Sequence, residues 1–402
     1  MPVGFETIRD VAQPTPSKIV FLVMDGLGGL PHPETGKSEL ESAQAPNLHA
    51  LARRSSLGLS TPVGAGITPG SGPGHLALFG YDPVKYLIGR GVLEAIGSDF
   101  DLQPADVAAR GNFCTVDRQG LITDRRAGRI ASAAAAQLCR ELDGFAESGV
   151  QCLVRPVKEH RFILVLRGPG LDDGLTEMDP QRLGVPPLPL TATRPEAKLA
   201  ALVAGAFVER ARLLLRGRQP ASMVLLRGWS RYPNLPSMTE VYRLRPASIA
   251  IYPMYRGLAK LVGMVALAAG EDLDDELAAL EQSWGQHDFF FLHYKPTDAA
   301  GEDGDFAAKV RAVENVDRAL PRLLALEPDA LVITGDHSTP ASLAAHSWHP
   351  VPVLLHSRWC RPFDADGFTE RSCARGELGR LPATDIMPLA LAHALKLTKY
   401  GA

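Results

Sequence analysis

IVFLVMDG, residues 19–26, runs through six apolar residues and stops at an aspartate and a glycine. A run this short, rich in β-branched residues and bounded by polar and Gly residues, is the pattern of a strand buried on both faces, as in a parallel sheet. The pattern recurs: ASIAIY (247–252) leads to Pro253, DFFFLHY (288–294) to Lys295, and ALVIT (330–334) to Gly335-Asp336-His337, while VPVLLH (351–356) follows Pro350. Helical patterns lie between. After Thr193, Pro195 and Glu196 make a helix start, and Leu199, Leu202, Val203, Ala206 and Phe207 follow at helical spacing. Strands alternating with helices predict an α/β fold, a mostly parallel sheet flanked by helices. No repeat at a fixed period is visible.

The bulk properties narrow the classes. At 402 residues the chain exceeds what one core holds, so two domains are expected. Residues 100–236 are denser in Arg and carry the loop-like GPGLDDG and VPPLPL. They read as a smaller α/β (α+β) domain inserted into a core made of 1–99 and 237–402. The net charge of −3 gives no global field toward nucleic acid or a membrane surface. No apolar run approaches the roughly 18–20 residues of a membrane span, and the N-terminus lacks a basic-then-apolar signal pattern. Five cysteines, an odd number without CxxC spacing, argue against a disulfide framework or a Cys-based zinc site and fit a reducing cytoplasm.

Open α/β sheets bind ligands beyond the carboxyl ends of their strands, and polar residues stand there in this chain. Asp25 follows the first run, Asp298 follows DFFFLHY, Asp336 and His337 follow ALVIT, and His346 comes soon after. Carboxylate oxygen and imidazole nitrogen together suit Zn²⁺, Mn²⁺ or a similar divalent ion. Each residue also has a plain structural reading: a strand-ending turn, a helix cap, a core histidine. Asp298 and Glu302 are four apart and share one face of a helical turn, which serves a metal ion or a solvated acidic face equally. Ser71, in GITPGSGPGHLALFGYDP (66–83), lies in a Gly- and Pro-rich turn. A helix beginning there puts Ser71 at an N-terminus, where backbone N–H groups favour phosphate. A serine hydroxyl becomes a nucleophile when a base or metal lowers its pKa. Two metal ions with a serine at a helix start form a phosphoryl-transfer arrangement. Arg125, Arg126 and Arg129 in DRRAGR are suited to carboxylate or phosphate; Arg110, Arg227, Arg231, Arg256 and Lys295 are further cationic candidates.

These stretches, with GRGVLEAIG (89–97), RGNFCTVD (110–117), DRRAGRI (124–130), EHRFILVLRG (159–168), LLRGWSRYPNLPS (225–237), KPTDAAGEDGDF (295–306) and TGDHSTP (334–340), resemble the archaeal-type, cofactor-independent phosphoglycerate mutases of the alkaline phosphatase superfamily. The resemblance runs from about residue 17 to the final KYGA, with the motifs in order. It implies a two-metal phosphoryl-transfer core (Mn, Zn or Mg), an inserted substrate domain, and interconversion of 3- and 2-phosphoglycerate in glycolysis without 2,3-bisphosphoglycerate. Ser71 matches the nucleophile that becomes phosphoserine. Asp25, Ser71, Asp336 and His337 match the ligands of one ion, and Asp298 and His346 two ligands of the other. Arg110, Arg125, Arg126, Arg129, Arg256, Lys295 and His75 are carried as substrate-binding residues. The family has His at 302 where this chain has Glu302, which can still coordinate. Archaeal members often have Asp after the serine, where this chain has Gly72. The implied partner is a small phosphorylated hydroxy acid, with neither nucleic acid nor membrane, in a monomer or a homo-oligomer. A metal-dependent phosphatase or phosphodiesterase, or a homoserine-kinase-like phosphotransferase, would use the same core.

Overall fold

The structure is a computed structural model describing residues 4–401; residues 1–3 and 402, at the ends of the expected core segments, lie outside it. The strands in chain order are β1 (Ile19–Met24), β2 (Ser56–Thr61), β3 (Val107–Val116), β4 (Ile122–Asp124), β5 (Phe145–Glu147), β6 (Val150–Pro156), β7 (Arg161–Arg167), β8 (Met223–Arg231), β9 (Pro246–Ala250), β10 (Val265–Leu267), β11 (Phe289–Tyr294), β12 (Ala330–Thr334), β13 (Val351–His356) and β14 (Gly379–Pro382). The chain divides into two units, Met1–Leu87 with Leu235–Ala402, and Ile88–Asn234.

The first unit is built on an eight-stranded sheet ordered β10-β9-β11-β1-β12-β13-β2-β14. All pairings are parallel except those of β13, which runs antiparallel to β12 and β2. Every residue of β1, β11 and β12 is buried, as a strand covered on both faces requires. Among the helices, α1 (Ser71–Leu78) follows β2, α2 (Pro296–Glu302) follows β11, and α3 (Phe306–Leu324) comes next. The Asp305 side chain accepts from the Ala308 N–H and starts α3. Val313, Val316, Leu320 and Leu323 then fall on one face and join the core with Leu22, Phe290 and Leu331. Each such side chain contributes about 1.5–3 kcal/mol on leaving water.

This topology gathers the site. Parallel pairing aligns Met24 with Tyr294 and Val23 with Thr334, so the carboxyl ends of β1, β11 and β12 reach one rim. Because β13 runs the other way, with Thr334 opposite Val353, its entry segment containing His346 meets the same rim.

The second unit is a six-stranded antiparallel sheet centred on β3, which pairs with β4, β7 and β8. It begins at Ile88, ahead of the expected 100, because the helix Arg90–Gly97 buries Val92, Leu93, Ala95 and Ile96 and packs on β3 and β8. The helix expected after Pro195 spans Lys198–Leu215, but its inward face differs from the expected one: Ala200, Val203, Ala204, Phe207, Val208, Ala211 and Leu215 are buried and Leu202 is exposed. Small alanines on that face allow close approach to the sheet, and the larger Leu202 is left outside. All five cysteines are free thiols. Among the described residues, no helix is long and apolar enough to cross a membrane.

Candidate active site

Ser71 is the first residue of α1, after Gly70 at the N-cap. The helix sits tightly on the end of β12: a Cβ at Gly74 would lie 2.3 Å from the Asp336 carbonyl oxygen. Glycine at 74 therefore lets α1 bring the Ser71 Oγ within 3.2 Å of His337 Nε2. A second glycine sets the turn after β1. Gly26 has φ +66°, and a Cβ there would lie 2.6 Å from Thr339 Oγ1 and 2.7 Å from Asp298 Oδ1.

Two groups form at the rim. Ligand atoms of Asp25, Asp336 and His337 lie within 4.8 Å of one another, as do those of Asp298, His337 and His346. Asp25, Asp298, Asp336 and His337 are fully buried. Thr339 orients the imidazole. Its hydroxyl donates to Asp298 Oδ1 at 2.6 Å, so its oxygen accepts from His337 Nδ1 at 2.9 Å. That leaves a lone pair on Nε2, facing Asp25 Oδ1 at 3.3 Å and Asp336 Oδ2 at 3.2 Å. His346 is oriented likewise. Its Nδ1 donates to the Pro69 carbonyl at 3.1 Å, and its Nε2 stands 3.6 Å from Asp298 Oδ1 and 3.5 Å from Glu302 Oε1.

Lone pairs and carboxylate oxygens thus converge, and two of those oxygens receive no proton. Asp25 Oδ1 and Asp336 Oδ2 are buried and lack any hydrogen-bond partner. His75 Nδ1 lies 3.1 Å from Asp336 Oδ2, but its proton is directed at the Ser71 carbonyl, 2.8 Å away. Buried anions without partners are costly. Hard oxygens and neutral imidazole nitrogens are the donors divalent Mn, Zn or Mg accept, so the residues fit such ions.

One cation of the chain stands among the carboxylates. Lys295 Nζ lies 2.5 Å from Asp298 Oδ2, 3.2 Å from Asp25 Oδ2 and 3.0 Å from the Tyr255 hydroxyl. Burial opposes its charge, but Asp25, Tyr255 and Asp298 outweigh it and raise its pKa. Burial alone would raise the Asp25 carboxyl; the His293 hydrogen bond at 2.8 Å and the Lys295 ammonium hold it well below the ordinary value.

The other expected residues fall as follows. Glu302, on α2, is half exposed beside His346. His75 is fully buried, 3.1 Å from Asp336, with its ring tilted against that of Tyr255. It has no exposed surface in this structure. Arg256 donates to the Ile251 carbonyl at 2.9 Å. In the second unit Arg125 grips Asp179 through two bonds of 2.8 and 2.7 Å, so its fork is already engaged. Arg126 and Arg129 are exposed. Arg110 is buried 3.2 Å from Glu94, and burial, with the nearby charges of Arg90, Arg161 and Arg227, lowers its pKa to about 10. The Nε atoms of Arg110, Arg161 and Arg227 are buried without partners. This gathering of guanidinium groups around one carboxylate leaves an excess of positive charge suited to an anion.

His293, Tyr255, Thr339, Arg90 and Arg161 were not reached by reasoning from the sequence. His293 ends a strand that reads as plain core, and its placement beside Asp25 depends on the β1–β11 pairing. Arg90 and Arg161 lie within GRGVLEAIG and EHRFILVLRG, whose basic residues were a signal in the sequence.

A serine at a helix N-terminus beside two carboxylate–imidazole groups at the rim of an α/β sheet defines a candidate phosphoryl-transfer site of the two-metal kind. Residues 52–220 match the family model described as 2,3-bisphosphoglycerate-independent phosphoglycerate mutase. A probable 2,3-bisphosphoglycerate-independent phosphoglycerate mutase of Thermus thermophilus is 50% identical over 99% of both chains. A Deinococcus radiodurans relative with the same description is 48% identical, again over 99% of each. Among solved structures, a protein from Pyrococcus horikoshii aligns with TM-score 0.83 and 28% identity, covering 98% of this chain and 100% of that one. The cofactor-independent phosphoglycerate mutase of Thermoplasma acidophilum aligns with TM-score 0.73 and 30% identity, covering 94% and 100%. The chain belongs to the 2,3-bisphosphoglycerate-independent phosphoglycerate mutase family.

Proposed function

We propose that this chain interconverts 3-phosphoglycerate and 2-phosphoglycerate by passing the phosphoryl group to Ser71 and back. The observation that carries the reading is the Ser71 Oγ at the N-terminus of α1, 3.2 Å from an imidazole nitrogen that carries a lone pair, beside buried carboxylate oxygens with no partner. Asp25, Ser71, Asp336 and His337 would hold one divalent ion, and Asp298, His346 and Glu302 the other. Such ions supply charge for the phosphoryl oxygens and lower the pKa of the serine hydroxyl.

The chain's own groups do the rest. Ser71 Oγ bonds to phosphorus as the bond to the 3-oxygen of glycerate breaks, and the serine proton leaves with that oxygen. The 2-hydroxyl then takes phosphorus from Ser71, and its proton returns to Oγ. One P–O bond forms and one breaks in each half, and no water is consumed. The N–H groups of the first turn of α1 receive phosphoryl oxygens. Lys295, anchored by Asp25 and Asp298, places a fixed positive charge at the rim. His75 acts as a positioning residue for Ser71, whose carbonyl accepts from its Nδ1. The Arg90, Arg110, Arg161 and Arg227 cluster gives the second unit, taken by itself, the charge to bind a small anion. The free thiols fit a cytoplasmic setting.

The test is an enolase-coupled assay of Mn²⁺-loaded protein with 3-phosphoglycerate and no 2,3-bisphosphoglycerate, following 2-phosphoglycerate and free phosphate together. Isomerisation with little free phosphate is expected. Stoichiometric phosphate release without isomerisation would make the protein a phosphatase and overturn the reading.

A further inference from the structure

Lys309, in the second turn of α3, has no exposed surface at all. Its Nζ bonds three backbone carbonyls: Gly26 at 2.9 Å, Gly28 at 3.0 Å and Thr339 at 2.7 Å. Three acceptors require three N–H donors, which an ammonium has and a neutral amine lacks. A buried charge of this kind lowers stability unless it is fully hydrogen-bonded. An apolar side chain on α3 would fill the same space at no such cost, so the charge has to be explained by what it holds.

What it holds is the two loops that carry the candidate ligands. Gly26 and Gly28 lie in the turn directly after Asp25. Thr339 follows Asp336-His337, and its N–H also donates to the Gly26 and Gly28 carbonyls. The Thr339 side chain in turn fixes Asp298 and the tautomer of His337. One ammonium therefore links, through two covalently short paths, Asp25 on one side and Asp298 and His337 on the other. Those residues belong to both groups at the rim. The loops are packed so closely that Gly26 admits no side chain between them. Burial presses the Lys309 pKa below its ordinary value, and the charges of Glu39, Glu370 and Asp298 oppose that effect.

We infer that Lys309 is a positioning residue for metal binding: its ammonium pins the Gly26–Gly28 and Thr339 carbonyls and so sets the spacing of the ligands of both ions. This rests on the two-ion reading of the site. Groups that orient metal ligands typically change affinity ~10–100-fold when removed. The measurement is calorimetric titration of Mn²⁺ into chelator-stripped protein, with circular dichroism and the melting temperature recorded alongside. Wild type is expected to take two equivalents; failure to do so would overturn the two-ion reading itself, independently of any variant. Lys309→Met keeps the stem and removes the donors, and is expected to weaken both equivalents ~10–100-fold. Leu323→Ala, at the far end of α3 in the core, is the control: it lowers the melting temperature and leaves Mn²⁺ affinity unchanged. Wild-type affinity in folded Lys309→Met overturns the inference. If Lys309→Met does not fold, Lys309→Gln, which can serve at most two of the three carbonyls, is read by the same criterion. Loss of the fold in both variants would assign Lys309 to stability alone and overturn the inference as well.

Discussion

Glu302 and Gly72 are the residues at which this chain departs from the pattern it otherwise follows, and of the two Glu302 stands beside the candidate ligands. Its carboxylate stands 3.5 Å from the His346 Nε2, while the ligand atoms that gather with Asp298 and His346 are those of His337; we propose that Glu302 joins them when the ion is bound. An oxygen there favours harder ions such as Mn²⁺ or Mg²⁺ over Zn²⁺. Glu302→His should shift the Zn²⁺-to-Mn²⁺ affinity ratio toward zinc by about tenfold, read by competition titration. An unchanged ratio would remove Glu302 from the ligand set. Ser71→Ala should lower mutase turnover by at least ~10³-fold while Mn²⁺ binding to the Asp298–His346 group persists; substantial residual turnover would point to another nucleophile. At this scale the sequence spoke through residue type and place. Asp25, Asp298, Asp336, His337 and His346 announced themselves because each follows or precedes a buried strand. Lys309 did not, because a lysine in an amphipathic helix pattern reads as a solvated position, and only the packing of two loops against α3 buries it.

The elements that carry the site are short, and their fit is set by contacts a few tenths of an ångström wide. The helix α1 makes its closest approach to β12 at Gly74, where a Cβ would meet the Asp336 carbonyl at 2.3 Å. Gly74→Ala should therefore displace α1, costing about 1–3 kcal/mol of stability. It should also lower kcat by ~10²-fold, since a misplaced reacting atom is costly, with the melting temperature and steady-state kinetics as the two readouts. A stable variant with wild-type kcat would show that α1 has slack at this contact. The strands were legible because burial on both faces leaves an uninterrupted apolar run: the expected 19–24, 330–334 and 351–356 coincide with β1, β12 and β13. The run 247–252 overreached, since Pro246–Ala250 is the paired part and Ile251-Tyr252 turn toward the next helix. The helix Lys198–Leu215 was legible in its start just after Pro195 but not in its inward face. Alternating Ala and Leu offer two stripes of similar hydrophobicity, and the packing of the sheet, not the periodicity, chooses between them.

For the molecule as a whole, the change of composition over 100–236 predicts an inserted domain, and the second compact unit spans Ile88–Asn234. The helix Arg90–Gly97 belongs to the second unit although its sequence has the same character as what precedes it. Charge burial also has a consequence for the whole fold. Glu276 is buried, both of its carboxylate oxygens lack a hydrogen-bond partner, and burial, with the charge of Asp272, pushes its pKa up to about 9 from 4.5. The folded state thus holds a proton that the unfolded chain releases, so its contribution is full below about 4.5 and is lost as pH rises through about 9. Glu276→Gln should flatten the alkaline limb of the stability curve: between pH 5 and pH 9 the wild type should lose several kcal/mol more than the variant in urea melts. Parallel curves would mean that the Glu276 carboxyl is solvated in the native state.

The central claim is that phosphate rests on Ser71 between leaving one oxygen of glycerate and joining the other. Acid quenching of Mn²⁺-loaded enzyme during turnover of phosphate-labelled 3-phosphoglycerate, followed by peptide mapping, tests it most directly. The account predicts label on the peptide containing Ser71 and none in Ser71→Ala. Label on a different residue, or none at any quench time while isomerisation proceeds, would contradict it.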